Sequence, residues 1–288
     1  MFEGAYTAIV TPFTRNGDVD FGKLRELIEM QVKNGIDGIV PVGTTGESPT
    51  LDYAEHEKVV ETCVEVARKR IKVIAGTGAN STREALELTK HAKEAGADGT
   101  LQVTPYYNKP NQAGLIKHFS AVADLGLPTI LYNIPGRCGR EIEVGTVAEL
   151  ARHPNIVAVK EAGGSVDRVS QTLARCKIEI LSGDDSLTLP MMAVGAVGVI
   201  SVATNVAPKP VADMVHAALK GDWKTARELH QKYYRLFTDL FVDTNPIPVK
   251  AAMAMMGLCE EVYRLPLCEM NDANKAKVRE CLKQLKLV

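Results

Sequence analysis

Apolar positions follow two alternating periods along this chain. Short runs rich in Ile, Val, Leu and Ala, at residues 5–10, 36–42, 73–75, 99–103, 128–132, 156–160, 179–181 and 197–201, read as strands buried on both faces. Between them apolar residues recur at helical spacing. Phe21, Leu24, Leu27, Ile28 and Val32 form the first stripe. Others span 52–69, 81–95, 112–124, 144–152, 185–194 and 208–219, with one more between the sixth and seventh strands. A weak repeat marks three joins: Gly35-Ile36-Asp37-Gly38, Gly96-Ala97-Asp98-Gly99 and Gly195-Ala196-Val197-Gly198 each close a helix and open a strand. Eight strands, each followed by a helix, imply right-handed parallel units. That number favours a closed (β/α)8 barrel over a doubly wound sheet of five or six strands.

From residue 222 the pattern is helical alone: 223–241, a second helix after Asn245-Pro246, and a third over 272–285. Asn245 suits a helix cap and Pro246 a first turn. With no Gly/Ser-rich linker, the expected division is a barrel over 1–221 and a three-helix C-terminal appendage over 222–288 packed on it.

Composition narrows the function classes. A chain of 288 residues, 45% hydrophobic and 24% charged, is that of a soluble globular protein. A formal net charge of -1 gives no reason to expect nucleic acid or a membrane surface as partner. No apolar run approaches the ~18 residues of a membrane span. Met1-Phe2-Glu3-Gly4 lacks the basic and apolar regions of a signal peptide. Six cysteines without a C-x-x-C pair suggest reduced thiols in the cytoplasm, and six dispersed histidines give a metal site no support.

The chemistry is concentrated where strands end. Active sites of (β/α)8 barrels lie at the C-terminal ends of the strands. The second strand leads into Gly43-Thr44-Thr45-Gly46-Glu47, the fourth into Thr104-Pro105-Tyr106-Tyr107-Asn108, and the fifth into Tyr132-Asn133-Ile134-Pro135-Gly136-Arg137. The sixth ends on Lys160, with Gly163-Gly164 soon after. Alternation places Ile156, Ala158 and Lys160 on one face and Val157 and Val159 on the other. A lone strand-end lysine ordinarily snorkels to water. Held on the inner face, the same lysine has a lowered pKa, which suits a Schiff-base nucleophile, because only the neutral amine attacks a carbonyl. Thr44 and Thr45 offer hydroxyls to a carboxylate, though Gly-Thr-Thr-Gly is also an ordinary tight loop. Tyr132 is a candidate proton relay or a packing residue, and Arg137 a candidate carboxylate fork or a solvated charge. Lys72 enters its strand and so belongs to the opposite rim.

Taken in order, Val42-Gly43-Thr44-Thr45-Gly46-Glu47, Val103-Thr104-Pro105-Tyr106-Tyr107-Asn108, Tyr132-Asn133-Ile134-Pro135-Gly136-Arg137, Val159-Lys160-Glu161-Ala162 and Asn245-Pro246-Ile247-Pro248-Val249-Lys250 resemble the dihydrodipicolinate synthase (4-hydroxy-tetrahydrodipicolinate synthase) family over essentially the whole chain. The resemblance implies a lyase of lysine and diaminopimelate synthesis that condenses pyruvate with L-aspartate-4-semialdehyde. Lys160 would form the imine, and Thr44, Tyr132 and Tyr107 would relay protons. Tyr107 would arrive across a tight dimer interface in a homodimer or homotetramer. Gly43, Thr45 and the main chain at Val202 would hold pyruvate, and Arg137 the semialdehyde carboxylate. No metal or organic cofactor is implied. Related aldolases that cleave N-acetylneuraminate or keto-deoxy-sugar acids share the lysine and the threonine loop, while Arg137 favours the synthase. A non-catalytic barrel is the alternative of another kind. Ser48, His56, Gly78, Asn80, Glu84 and Tyr106 match an effector site for lysine. Pro49 and Tyr53 stand where the feedback-sensitive pattern has a small residue and a histidine, so the resemblance leaves the response to lysine open.

Overall fold

The computed structural model describes residues 1–288. Its first half runs β1 (Gly4–Ala8), α1 (Phe21–Lys33), β2 (Gly38–Val40), α2 (Tyr53–Ala67), β3 (Lys72–Gly76), α3 (Thr82–Glu94), β4 (Gly99–Val103) and α4 (Gln112–Ala123). Next come β5 (Thr129–Asn133), α5 (Pro135–Cys138), α6 (Val144–Leu150), β6 (Ile156–Glu161), α7 (Val166–Leu173) and β7 (Glu179–Ser182). The barrel ends with α8 (Thr188–Ala193), β8 (Gly198–Ser201) and α9 (Pro208–Leu219). Three further helices follow: α10 (Trp223–Asp239), α11 (Ile247–Met255) and α12 (Asp272–Gln284). The strands pair in chain order, all parallel, and β8 closes on β1. This is the expected (β/α)8 barrel with a C-terminal helical part.

Local chemistry explains the joins. Gly35, Gly96 and Gly195 take φ of +76°, +88° and +115°, which residues with side chains avoid, and the last glycine of each repeat opens β2, β4 or β8. Short polar side chains start the helices: Asp20 accepts from the Lys23 amide at 2.8 Å, and Asp52 and Glu55 cap α2 reciprocally.

Two apolar layers result. Inside the barrel, Val40, Ile74, Leu101, Ile130, Ala158, Leu181 and Ile200 pack together. Outside it, the opposite faces of the strands pack on the helices. Phe2 and Tyr6 plug the N-terminal end edge to face, ring centroids 6.3 Å apart. A Cβ on Gly38 would lie 2.5 Å from the Tyr6 ring, so glycine there makes room for the plug. The other end of the barrel is left for chemistry.

Three expectations need correction. Ile156 packs in the outer layer with Val159, not beside Lys160, because the β5–β6 register slips: Thr129 pairs with Ile156 but Ile130 with Ala158. Asn245 does not cap α11; Pro246 occupies that position without a side-chain hydrogen bond, and the Asn245 carboxamide is used elsewhere. The helix expected over 185–194 is split into a 3₁₀ turn, Asp185–Leu187, and α8. Similar turns at Ser48–Thr50 and Ala203–Asn205, and the four-residue α5, follow other strands at the same rim.

Candidate active site

Lys160 and Tyr132 are register partners on β6 and β5. The Lys160 ammonium nitrogen lies 4.3 Å from the Tyr132 ring centroid, and the residue is only 6% exposed. Burial lowers its pKa to about 8; Asp184 and Asp185 oppose that shift and Arg137 adds to it. About a tenth of the amine is then neutral at pH 7, far more than for an ordinary lysine. Burial pushes the Tyr132 phenol well above its usual range, with the Arg137 charge and a hydrogen bond to Thr44 opposing. Tyr132 is therefore a neutral hydroxyl, able to give and take a proton beside the amine.

The space Lys160 occupies depends on Gly183. A Cβ there would lie 2.6 Å from the Ala162 Cβ and 3.1 Å from the Lys160 Cε. Gly183→Ala should displace the amine and lower kcat about tenfold, read by steady-state kinetics beside a thermal melt. Unchanged kinetics would show that the lysine is not held by this contact.

The loop after β2 leaves the strand sharply. Val42 and Glu47 take φ of +51° and +55°, and the turn between them is closed by Gly46 N to Gly43 O at 3.0 Å and Glu47 N to Thr44 O at 3.1 Å. A β-branched valine in the left-handed region persists only where its surroundings impose it. Gly76 is one reason: a Cβ there would lie 2.6 Å from the Val42 carbonyl. Thr45 is buried, its Oγ1 accepting from Asn245 Nδ2 at 3.0 Å. Arg137, exposed at the rim on α5, donates to the Asn245 carbonyl at 3.0 Å. A cavity of about 220 Å³ lies between these elements, lined by Val42, Gly43, Thr44, Tyr132 and Arg137 among others.

A buried polar layer fixes the strand ends from behind. Glu161 accepts from Asn133 Nδ2 at 2.9 and 3.1 Å, from Gly163 N at 2.8 Å and from Arg168 Nε at 2.8 Å. Asn133 and Glu161 directly follow Tyr132 and Lys160 in paired register, so the network sets the spacing of the Tyr132 and Lys160 strand positions. Asp185 accepts from Ser201 Oγ, from Val202 N at 3.1 Å and from Ala203 N at 3.0 Å, tying the β7 exit to Val202 at the β8 exit.

The chain as a whole has close counterparts among known proteins. A family model described as the dihydrodipicolinate synthetase family matches residues 1–285. The chain belongs to that family. It is 56% identical to 4-hydroxy-tetrahydrodipicolinate synthase of Geobacter sulfurreducens, over 100% of both chains. The solved structure of 4-hydroxy-tetrahydrodipicolinate synthase from Methylacidiphilum fumariolicum SolV is 54% identical, with a TM-score of 0.98 over 99% of this chain and 96% of that one. The chloride-inhibited dihydrodipicolinate synthase of Acinetobacter baumannii, solved with pyruvate, is 45% identical, with a TM-score of 0.98 over 100% of both.

Within this member of the dihydrodipicolinate synthetase family, the expected site residues do not all line one cavity. Thr44, Gly43, Tyr132 and Arg137 share the cavity. Lys160, Thr45, Val202 and Tyr107 are not among its lining residues, and Tyr107 is 90% exposed, with φ +72°. Ser48, Gly78 and Tyr106 from the effector set line the same cavity, as does Pro49. His56 is buried with Nε2 2.9 Å from the Gly76 carbonyl, and the Asn80 carbonyl accepts from Asn108 Nδ2 at 2.8 Å. Tyr53 is about half exposed beside Glu84; partial desolvation first, then the Glu84 and Glu87 charges, raise its phenol.

Sequence reasoning missed Asn133, Glu161, Arg168, Asp185 and Asn245. One signal was available. Alternation puts Glu161 on the outer face of β6, where a carboxylate among apolar residues needs partners. For Asn245 no local signal exists, since its partners Thr45 and Arg137 are remote in sequence.

Proposed function

We propose that Lys160 drives this chain's reaction as a Schiff-base nucleophile. The reaction is that of 4-hydroxy-tetrahydrodipicolinate synthases, a lyase-class condensation of pyruvate with L-aspartate-4-semialdehyde in lysine and diaminopimelate synthesis. The observation that carries the proposal is the buried Lys160 amine with its pKa lowered to about 8, beside the Tyr132 ring. The neutral amine adds to the pyruvate ketone, and water leaves as the imine forms. Loss of a methyl proton gives the enamine, whose carbon attacks the aldehyde. The substrate amine then displaces Lys160, closing the ring and freeing the enzyme. Thr44 and Tyr132 carry the protons of these steps, and Gly43, Thr45 and the Val202 main chain hold pyruvate. No organic cofactor or metal is assigned; the covalent imine supplies the electron sink.

Tyr107 completes the relay from a second copy of the chain. An aromatic side chain 90% exposed on a left-handed backbone is set outward, as a residue delivered to a neighbour would be. The assembly is therefore at least a homodimer. The Ser48, His56, Gly78, Asn80, Glu84 and Tyr106 positions remain the proposed effector site, with Tyr53 beside Glu84 as the feature that alters it.

Incubation with pyruvate and borohydride should add a reduced pyruvyl group to the peptide carrying Lys160. Below pH 8 the labelling rate should rise about tenfold per pH unit, then level as the amine becomes fully neutral. Labelling at another lysine, or a rate flat between pH 6 and 8, would remove the basis of the proposal.

A further inference from the structure

The last motif, ending in Lys250, is left without a task by the chemistry above. Lys250 lies on α11, and both its side chain and that of Glu47 are 0% exposed. Its Nζ donates to Glu47 Oε1 at 2.5 Å and sits 4.1 Å from the Phe13 ring centroid. The other Glu47 oxygen accepts from Arg264 N at 3.2 Å. Arg264 itself grips the surrounding loops, donating to Thr50 O at 2.8 Å, to Gly17 O at 3.0 Å and to both Glu55 oxygens.

A buried ion pair is a poor way to gain stability, since two apolar side chains of similar volume generally do as well or better. What it does impose is direction, and here the direction is specific. Glu47 ends the turn that carries Thr44 and Thr45, in a left-handed conformation that a glutamate does not favour. The segment holding it from one side also holds Thr45 from the other, through Asn245. The two threonines are thus clamped at both ends by residues 245–250 of the C-terminal region, about 200 positions away in sequence.

We infer that Lys250 and Glu47 form a positioning pair, which sets the backbone of the 43–47 turn so that Thr44 and Thr45 face pyruvate. The inference rests on the proposed role of those threonines at Lys160. Neither member of the pair touches the reacting atoms. Their effect is carried by the turn, and so falls on pyruvate in preference to the semialdehyde.

A double-mutant cycle separates positioning from stability. Glu47→Gln and Lys250→Met should each lower Tm, because each leaves one buried group without its partner. The double variant carries no buried charge and should recover most of that Tm. Its KM for pyruvate should nevertheless stay raised roughly tenfold, with KM for the semialdehyde within about twofold of the unchanged protein. A double variant with an ordinary pyruvate KM overturns the inference, as does one in which both KM values rise only in step with lost Tm. Borohydride labelling of the unchanged protein distinguishes the two levels. Labelled Lys160 with an ordinary pyruvate KM in the double variant sinks the positioning pair alone; unlabelled Lys160 sinks the site assignment and the pair with it.

Discussion

Lys160→Met should abolish the borohydride-trapped adduct and lower kcat by about 10³-fold or more, while the protein stays folded. Methionine matches the length of the lysine stem and suits an apolar interior, so the cavity keeps its shape. Stability gives an independent sign. The Lys160 pKa is lowered on folding, so the cost of burying its charged form is fully present below about pH 8. It fades as pH rises from there toward the unfolded lysine range. The methionine variant should therefore melt above the unchanged protein at pH 7, by a margin that shrinks above pH 8. Activity and Tm moving in opposite directions cannot come from unfolding. Lys160→Arg should be equally inactive, since a guanidinium stays protonated and forms no imine. Turnover within tenfold of the unchanged protein in either variant would mean that pyruvate is activated by some other group.

How much of this was legible beforehand follows the range of the interactions involved. The barrel was, because its evidence is periodic and local: eight apolar runs, helical stripes between them, and glycine pairs at the joins. The place of Lys160 was also legible, since a lysine near the end of a strand is brought to the rim once the strand count gives a barrel. Strand faces failed at Ile156, where a one-residue slip against β5 puts it with Val159 in the outer layer. Such slips arise between strands and leave no mark on the pattern of either one.

The polar scaffold was the least legible part. Asn245 reads as a helix cap, since short polar residues before a proline commonly are, yet its carboxamide is donated to Thr45. Lys250 is the one charged residue of the otherwise apolar helix Ile247–Met255, and it is buried against Glu47. In both cases the partner is remote in sequence, and burial of the pair is a property of the closed barrel with α11 laid across its rim. Motif resemblance pointed to this segment without saying what it does. The geometry supplies an answer: the C-terminal helices reach the threonine loop from outside the barrel.

Arg137→Ala should leave imine formation intact and remove most of the second half-reaction. Arg137 lines the cavity and donates to the Asn245 carbonyl at 3.0 Å; a guanidinium fork can meet a carboxylate with two parallel hydrogen bonds. Losing one partner of a close charge pair costs on the order of 10²- to 10³-fold in kcat/KM. That loss should fall on the semialdehyde, with borohydride labelling of Lys160 by pyruvate proceeding at close to its ordinary rate. Arg137→Lys tests the same point more finely: it keeps the charge but loses the fork, and should recover only part of the activity. The pattern distinguishes substrates as well as residues. An aldolase acting on a sugar acid would be judged by cleavage of that acid, and its second substrate would bring no carboxylate to this arginine. If Arg137→Ala turned over the semialdehyde normally, the carboxylate would have to be bound elsewhere on the rim. Lys160 would then still identify the chemistry, but Arg137 would no longer identify the substrate.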